Sequence, residues 1–313
     1  MKLFKPRFWA YKKNIFTLAL YPTSLIYSFL VFIKKKIARS RKFKIPIVCI
    51  GNIYLGGTGK TPLAIYIAKE LQKANLKPAI VKKYYKNHFD EHKLIRSNYK
   101  SLILDKSRIK AINEAIEKKF DYVILDDGFQ DYSIGKNLNI LCFNQKQLVG
   151  NGYVFPAGPL REKLNVVKDA QIVVINGKKD FNFEKKLYFF NKDIKIYYSQ
   201  YKINNLEQFK NEKILALAGI GNPDNFFELL IESNLNVKRK ISFPDHYMPD
   251  EKELFQIKEE CKKNGYKIVT TEKDYYRFKH VKFVDFSFVK VDLVINNKED
   301  LINKVVEISN ENI

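Results

Sequence analysis

The chain has 313 residues, 46% of them hydrophobic; this is ample for one large or two modest domains and excludes a disordered chain. Lysine and arginine number 56 against 34 acids, a net charge of +22, which implies attraction to an anionic surface (nucleic acid or acidic headgroups) or lysines scattered by a coding bias. Cys49, Cys142 and Cys261 stand too far apart for a metal site or an even-numbered disulfide framework, and a reducing cytoplasm fits.

Residues 1–14 are basic and aromatic. Ile15 to Ile33 then runs 19 residues without a charge, and Lys34-Lys35-Lys36 closes the run. At helical rise this spans about 28 Å, close to a bilayer's hydrocarbon thickness. We expect a membrane-associated helix within residues 1–40, although Pro22, Thr23 and Ser24 interrupt the run. A helix lying in the interface reads the same way, and a buried core helix is the bland alternative. A cleaved signal peptide fits less well, because no small-x-small site precedes the lysines. Both flanks are basic, so charge chooses no orientation.

From Ile45 the pattern alternates. Strand signals lie at Ile45–Ile50, Pro78–Val81, Ser101–Leu104, Tyr122–Leu125, Leu138–Phe143 and Gln171–Ile175, with helix signals at Lys60–Lys73 and Lys106–Lys119. This predicts a parallel sheet with helices on both faces over residues 41–202. A polar stretch, Ile203–Glu212, reads as a linker. A smaller α/β domain over 203–313 follows, with strands at Ile214–Ala218, Val237–Phe243, Lys267–Thr270 and Phe286–Ile295. Helices start near Pro223, behind the cap residue Asn222, and near Asp250.

The first strand runs into Gly51-Asn52-Ile53-Tyr54-Leu55-Gly56-Gly57-Thr58-Gly59-Lys60-Thr61-Pro62, and a helix follows. Gly56, Gly57 and Gly59 let consecutive N–H groups converge on a phosphate. The helix start adds its dipole, Lys60 reaches the outer phosphates and the Thr61 hydroxyl holds Mg²⁺. The expected nucleotide-binding set is Tyr54, Leu55, Gly56, Gly57, Thr58, Gly59, Lys60 and Thr61, with ATP and Mg²⁺ as cofactors. Tyr54 stands where the full consensus has glycine, so the loop is nearer the variants with two adjacent glycines. Tyr122-Val123-Ile124-Leu125 ends in Asp126-Asp127, where nucleotide enzymes place the carboxylate that meets Mg²⁺ or its water shell. Successive strand residues point to opposite faces, so one acid serves the metal while the other holds a loop; either could be the metal's.

The loop says nucleoside triphosphate without naming the acceptor. A membrane-associated switch acting on a protein partner is one reading. A nucleic-acid-binding ATPase ranks last, because no recognition motif and no basic stripe interleaved with aromatics occurs.

The glycine loop, then Asp126-Asp127-Gly128-Phe129-Gln130, then Gly150-Asn151-Gly152 with Phe155-Pro156-Ala157-Gly158-Pro159-Leu160-Arg161-Glu162, resembles the tetraacyldisaccharide 4'-kinase family. Ala218-Gly219-Ile220-Gly221-Asn222-Pro223, Phe243-Pro244-Asp245-His246 and Thr270-Thr271-Glu272-Lys273-Asp274 are similar too. The resemblance spans nearly the whole chain and implies ATP-dependent phosphorylation of the acylated disaccharide 1-phosphate precursor of lipid A at its 4'-hydroxyl. It implies a catalytic domain on the cytoplasmic face of the inner membrane of a Gram-negative bacterium. The implied partners are the lipid and the membrane surface, with no nucleic acid and no obligatory protein partner. One region departs from the family pattern: Lys83-Tyr84-Tyr85 and Phe89-Asp90-Glu91-His92 stand where Arg-Gly-Tyr, a longer spacer and Gly-Asp-Glu-Pro are usual. The resemblance implies Asp90 as the base, His246 as the group that orients or tunes it, and Lys60, Asp127 and Arg161 as further catalytic residues. Arg161 and Glu162 are implied at the substrate, unless they form an ordinary surface pair.

Overall fold

Strands buried on both faces need uninterrupted apolar runs, and Ile47-Val48-Cys49-Ile50 is one such run, with no exposed residue. The computed structural model describes residues 5–12, 14–281 and 283–311; residues 1–4 and 13 of the basic aromatic segment lie outside these. Two compact units emerge. The larger comprises Lys5–Tyr84, Tyr99–Gln200 and residues 295–311; the smaller comprises Tyr85–Asn98 and Tyr201–Val294. This differs from the expected boundaries of 1–40, 41–202 and 203–313 in three ways. The N-terminal helix groups with the larger unit, residues 85–98 leave that unit for the smaller one, and the C-terminal helix returns to the larger.

In the larger unit, helix α1 (Ile15–Ile37) is capped by Asn14, whose side chain accepts from Phe16 N. It runs unbroken through Pro22. The Thr23 hydroxyl donates to Leu20 O at 2.6 Å, and Ser24 turns its hydroxyl to Val154 O at 2.8 Å while accepting from Ala157 N. Its buried residues are Thr17 and Ser24, whereas Ile15 is 71% and Phe29 60% exposed. A buried core helix is therefore excluded: the apolar side faces outward. Strands β1 (Ile47–Gly51), β2 (Pro78–Lys83), β3 (Leu102–Asp105), β4 (Tyr122–Asp126), β5 (Leu138–Asn144), β6 (Ile172–Asn176) and β7 (Lys195–Ile203) pair in parallel in the order β7-β6-β5-β1-β4-β2-β3. Helix α2 (Lys60–Lys73) buries Leu63, Ile67 and Leu71 on one stripe. The order turns at β1, which lies between β4 and β5, and in such sheets ligands bind at the strand ends beside that turn.

The smaller unit holds helix α3 (Phe89–Asn98) and a four-stranded parallel sheet, β11-β10-β8-β9, of β8 (Lys213–Ala218), β9 (Asn236–Ser242), β10 (Tyr266–Thr271) and β11 (Phe286–Val289). Alternate residues of β8 feed separate cores: Ile214, Ala216 and Ala218 pack with α6 (Pro223–Glu232), while Leu215 and Leu217 pack with α7 (Glu251–Asn264). Helix α8 (Glu272–Phe278) lies against α3. The expected strand Phe286–Ile295 is two strands, β11 and β12 (Val291–Ile295), with Lys290 between them. The expected linker Ile203–Glu212 contains a short turn, Leu206–Phe209, that buries Phe209.

Candidate active site

Strand β1 delivers the glycine loop and β4 delivers the acids, because Ile50 and Asp126 are register partners in adjacent strands. Asn52, fully buried, ties the loop together: its side-chain amide donates to Tyr54 O at 2.7 Å, Thr58 Oγ1 at 2.9 Å and Gly56 O at 3.2 Å. The Pro159-Leu160-Arg161 backbone clamps the other edge, with Leu55 N donating to Pro159 O and Arg161 N to Ile53 O, and with Tyr54 bridged to Leu160. Gly56 and Gly59 sit at φ +123° and +93°, where a side chain would be strained, and Gly57 is exposed. Thr58 is buried and serves the loop. Gly59 opens α2, so the free N–H groups of its first turn point out of the loop.

Both acids meet that first turn. Asp126 Oδ2 accepts from Thr61 Oγ1 at 2.8 Å and from Lys82 Nζ at 2.6 Å. Asp127 Oδ1 accepts from Arg161 Nη1 at 2.9 Å and lies 3.8 Å from Lys60 Nζ. The opposite-faces expectation fails because Asp127 has left the strand with φ +61°. Such a backbone costs roughly 1–3 kcal/mol in a non-glycine residue. Asp127 N to Ile50 O at 2.9 Å and Arg108 Nη2 to Asp127 O at 2.6 Å hold it there. Burial pushes the Asp127 carboxyl up, but Lys60 and Arg161 outweigh it and leave the group well below the usual carboxylate range.

Arg161 and Glu162 do not form a pair. Glu162 is buried, accepting from Tyr132 OH at 2.7 Å and from Gln130 Nε2 at 3.2 Å, while Gln130 Oε1 accepts from Arg161 at 3.3 Å. Gln130 thus links them. The oxygens fit a divalent cation. Asp126 Oδ1 is buried with no hydrogen-bond partner among the described residues, and it belongs to the same carboxylate that Thr61 contacts. Hard oxygen donors of this kind suit Mg²⁺.

The smaller unit holds the other two predicted residues. Asp90, 1% exposed near the start of α3, receives Arg277 on Oδ2 through Nη2 at 2.5 Å and Nε at 3.1 Å; Oδ1 accepts from Glu91 N. His246 Nδ1 lies 3.4 Å from the same Oδ2, with the ring stacked on His88 at 4.2 Å between centroids. At 3.4 Å this is a long contact, beyond the usual hydrogen-bond distance. His246, like Asp127, sits in the left-handed region, at φ +60°. Asp274 positions Arg277 from within α8, at 3.0 Å to Nη1, and accepts from Gly219 N and Thr271 Oγ1. Lys273 lies 3.0 Å from both Glu91 Oε1 and Asp245 Oδ1. Burial opposes ionisation of Asp90, yet His246, Lys273 and Arg277 together hold its carboxyl well below the ordinary range. Ligand atoms of His88, Glu91 and His246 come within 4.8 Å of one another, but Lys273 Nζ, 3.4 Å from His246 Nε2, already places a cation there.

Lys82, Arg108 and Arg277 were not expected. Lys82 had a signal, a lysine directly after the buried run Ala79-Ile80-Val81. Arg277 had a weaker one, standing three residues after Asp274 on a helix. Arg108 had none.

A family model described as tetraacyldisaccharide-1-P 4'-kinase matches residues 16–98 and 88–309. A tetraacyldisaccharide 4'-kinase from Pelagibacter ubique (strain HTCC1062) is 39% identical, with the alignment covering 100% of both chains. One from Rickettsia canadensis (strain McKiel) is 33% identical over 97% of each. The crystal structure of LpxK from Aquifex aeolicus in complex with ATP shares the fold, with a TM-score of 0.70, 23% identity, and coverage of 94% of this chain and 99% of that one. With matches of this length and identity, the chain belongs to the tetraacyldisaccharide 4'-kinase family.

Proposed function

We propose that this protein transfers the γ-phosphate of ATP to the 4'-hydroxyl of the tetraacyldisaccharide 1-phosphate precursor of lipid A, giving lipid IVA. The observation that carries this reading is a glycine loop with Thr61 2.8 Å from Asp126, in a chain that aligns end to end with a tetraacyldisaccharide 4'-kinase. The loop N–H groups and Lys60 bind the phosphates. Thr61 and Asp126 would hold Mg²⁺, which when bound would supply positive charge to the phosphate oxygens. Lys60 and Arg161 offset the charge that spreads over the transferred group, and Asp127 keeps both cations in position. Glu162, through Gln130, orients Arg161 toward the substrate.

Asp90 and His246 handle the acceptor's proton. Asp90 is a carboxylate at any working pH, and its depressed pKa makes it a weak base by itself. His246, the imidazole within 3.4 Å of the same oxygen, shares the proton, so the two act as a unit. The exposed apolar side of α1, with Lys34, Lys35 and Lys36 in its last turn, holds the enzyme at the membrane, on the cytoplasmic face where ATP is available. No protein partner or nucleic acid is required.

Incubation with ATP, Mg²⁺ and the disaccharide 1-phosphate lipid tests the proposal. The expected product is heavier by one phosphoryl group, carried at the 4' position. Slow ATP hydrolysis without a phosphorylated lipid would instead favour a nucleotide switch.

A further inference from the structure

Helix α5 (Phe181–Phe190), in the larger unit, carries an unusual outer face. Phe183 and Leu187, one turn apart, are buried, and the Asp180 side chain caps the helix by accepting from Phe183 N at 2.9 Å. Phe181, Lys185 and Tyr188 follow one another at i, i+4 and i+7 on the opposite side. Phe181 is 65% exposed and Phe189 81%; Tyr188 and Phe190 are exposed as well. A surface helix in water ordinarily presents charges there. Beside it lies a cavity of about 510 Å³ lined by Leu160, Leu164, Phe189, Phe190, Lys185 and Lys186, among others.

The surrounding charge is cationic. Lys178, Lys179, Lys185, Lys186 and Lys192 are exposed, and Lys179 Nζ lies 4.6 Å above the Phe181 ring. Of the nearby acids, Asp180 is spent on the cap and Glu184 accepts from Tyr198 OH at 2.9 Å, leaving Asp193 exposed. Protein interfaces are depleted in lysine, whereas helices that lie on membranes combine lysines with bulky apolar side chains. This face is also continuous with the seat of α1. Residues 149–169 receive α1 through Ser24 at Val154 and Ala157 and through Lys35 at Asp169. The same stretch supplies Leu160 and Leu164 to the cavity, and its Leu164–Asp169 turn packs against α5.

We infer that the outer face of α5 is a second membrane contact, at which Phe181, Tyr188 and Phe189 enter the interface of an anionic bilayer while Lys185 and Lys186 meet its headgroup phosphates. This rests on the membrane location proposed above for α1, and it adds a second point of attachment to that helix.

The test uses the full chain labelled at Phe189→Cys with an environment-sensitive fluorophore; the native cysteines are all buried. A second preparation carries the label at Phe29→Cys in α1. Each is mixed with vesicles of phosphatidylcholine and phosphatidylglycerol, with or without a nitroxide-bearing lipid. The expected result is a rise of about twofold or more at 189, quenched by the nitroxide, weakened by salt and reduced at least severalfold in Lys185→Ser/Lys186→Ser. An unchanged signal at 189 with a rise at 29 overturns the inference and leaves the α1 reading intact. No rise at either position overturns both. A rise at 189 that needs only more protein, without vesicles, means a second copy covers this face and also overturns it. A quenched rise that persists undiminished in the double lysine variant overturns the headgroup contact.

Discussion

The two carboxylate clusters solve charge burial differently. In the larger unit, Asp126 ends a parallel strand and Asp127 follows it, and their cations Lys60, Lys82 and Arg161 come from other segments of the same unit. One oxygen, Asp126 Oδ1, has no hydrogen-bond partner among the described residues. The proposed function gives that set a cation on one side and phosphate on the other. In the smaller unit, Asp90 lies on a helix, and both of its oxygens are engaged. There, four carboxylates, Asp90, Glu91, Asp245 and Asp274, surround two fixed cations, Lys273 and Arg277. His246 Nδ1 lies 3.4 Å from Asp90 Oδ2, at the edge of that acid-rich set. The proposed function assigns phosphate binding to the cluster with the open oxygen and proton transfer to the cluster with the negative surplus beside a histidine.

Substitutions that strike one cluster and spare the other sharpen this contrast. The largest effect is expected from Asp90→Asn, which should lower kcat by roughly two to four orders of magnitude, the usual worth of acid–base catalysis. His246→Ala should lose less, and the double variant should lose no more than Asp90→Asn in single-turnover assays, because the pair acts as a unit. Additive losses would break the pairing. Next, Lys60→Ala should reduce phosphoryl transfer roughly 10²–10³-fold, as for one preorganised charge contact, with circular dichroism unchanged. Near-normal turnover would remove the loop from the chemistry.

Lys82→Met should act on stability. It removes the Lys82 ammonium from the buried Asp126 carboxylate, which keeps the Thr61 hydroxyl, and breaking a buried pair costs about 3–5 kcal/mol. Thermal melts should show the drop, and adding Asp126→Asn should recover much of it; a variant as stable as wild type would mean that the pair contributes nothing. The smallest effect concerns acid. Asp90 and Asp127 both sit below the ordinary carboxylate value of about 4. Above that range both folded and unfolded chains are ionised and the full contribution stands. As pH falls through it, the unfolded chain takes up protons that the folded one does not, and stability is lost. Urea midpoints should therefore fall between pH 6 and pH 3, less steeply in Asp90→Asn; an identical slope would contradict the assignment of that loss to Asp90.

The same contrast explains what could be read in advance. The glycine loop and Asp126-Asp127 are local motifs: a strand, a turn and a helix start in contiguous residues, and α2 begins and ends where its pattern predicts. The membership of α3 in the smaller unit was not legible, because it depends on Arg277 reaching Asp90 across 187 positions of sequence. Helix α5 and α9 (Lys298–Glu311) were missed for a related reason. In α5 aromatics cover the outer face as well as the inner, which blurs the helical period. In α9 tertiary bonds, Tyr197 OH to Asp300 and Tyr122 OH to Asn310, tie a short polar helix to the sheet. Strand β7 mixes aromatic and polar residues without a clean alternation, as in Tyr197-Tyr198-Ser199-Gln200, and carried no strand signal. The break between β11 and β12 cannot be seen in an apolar run, since each half obeys the same period.

The division of labour is tested most directly by calorimetric titration of ATP into wild type, Lys60→Ala and Asp90→Asn, alongside turnover with the lipid acceptor. The account predicts that both variants lose transfer, that Lys60→Ala also loses ATP affinity, and that Asp90→Asn binds ATP as the wild type does. Asp90→Asn that weakens ATP as much as Lys60→Ala does, or that turns over at the wild-type rate, would contradict it.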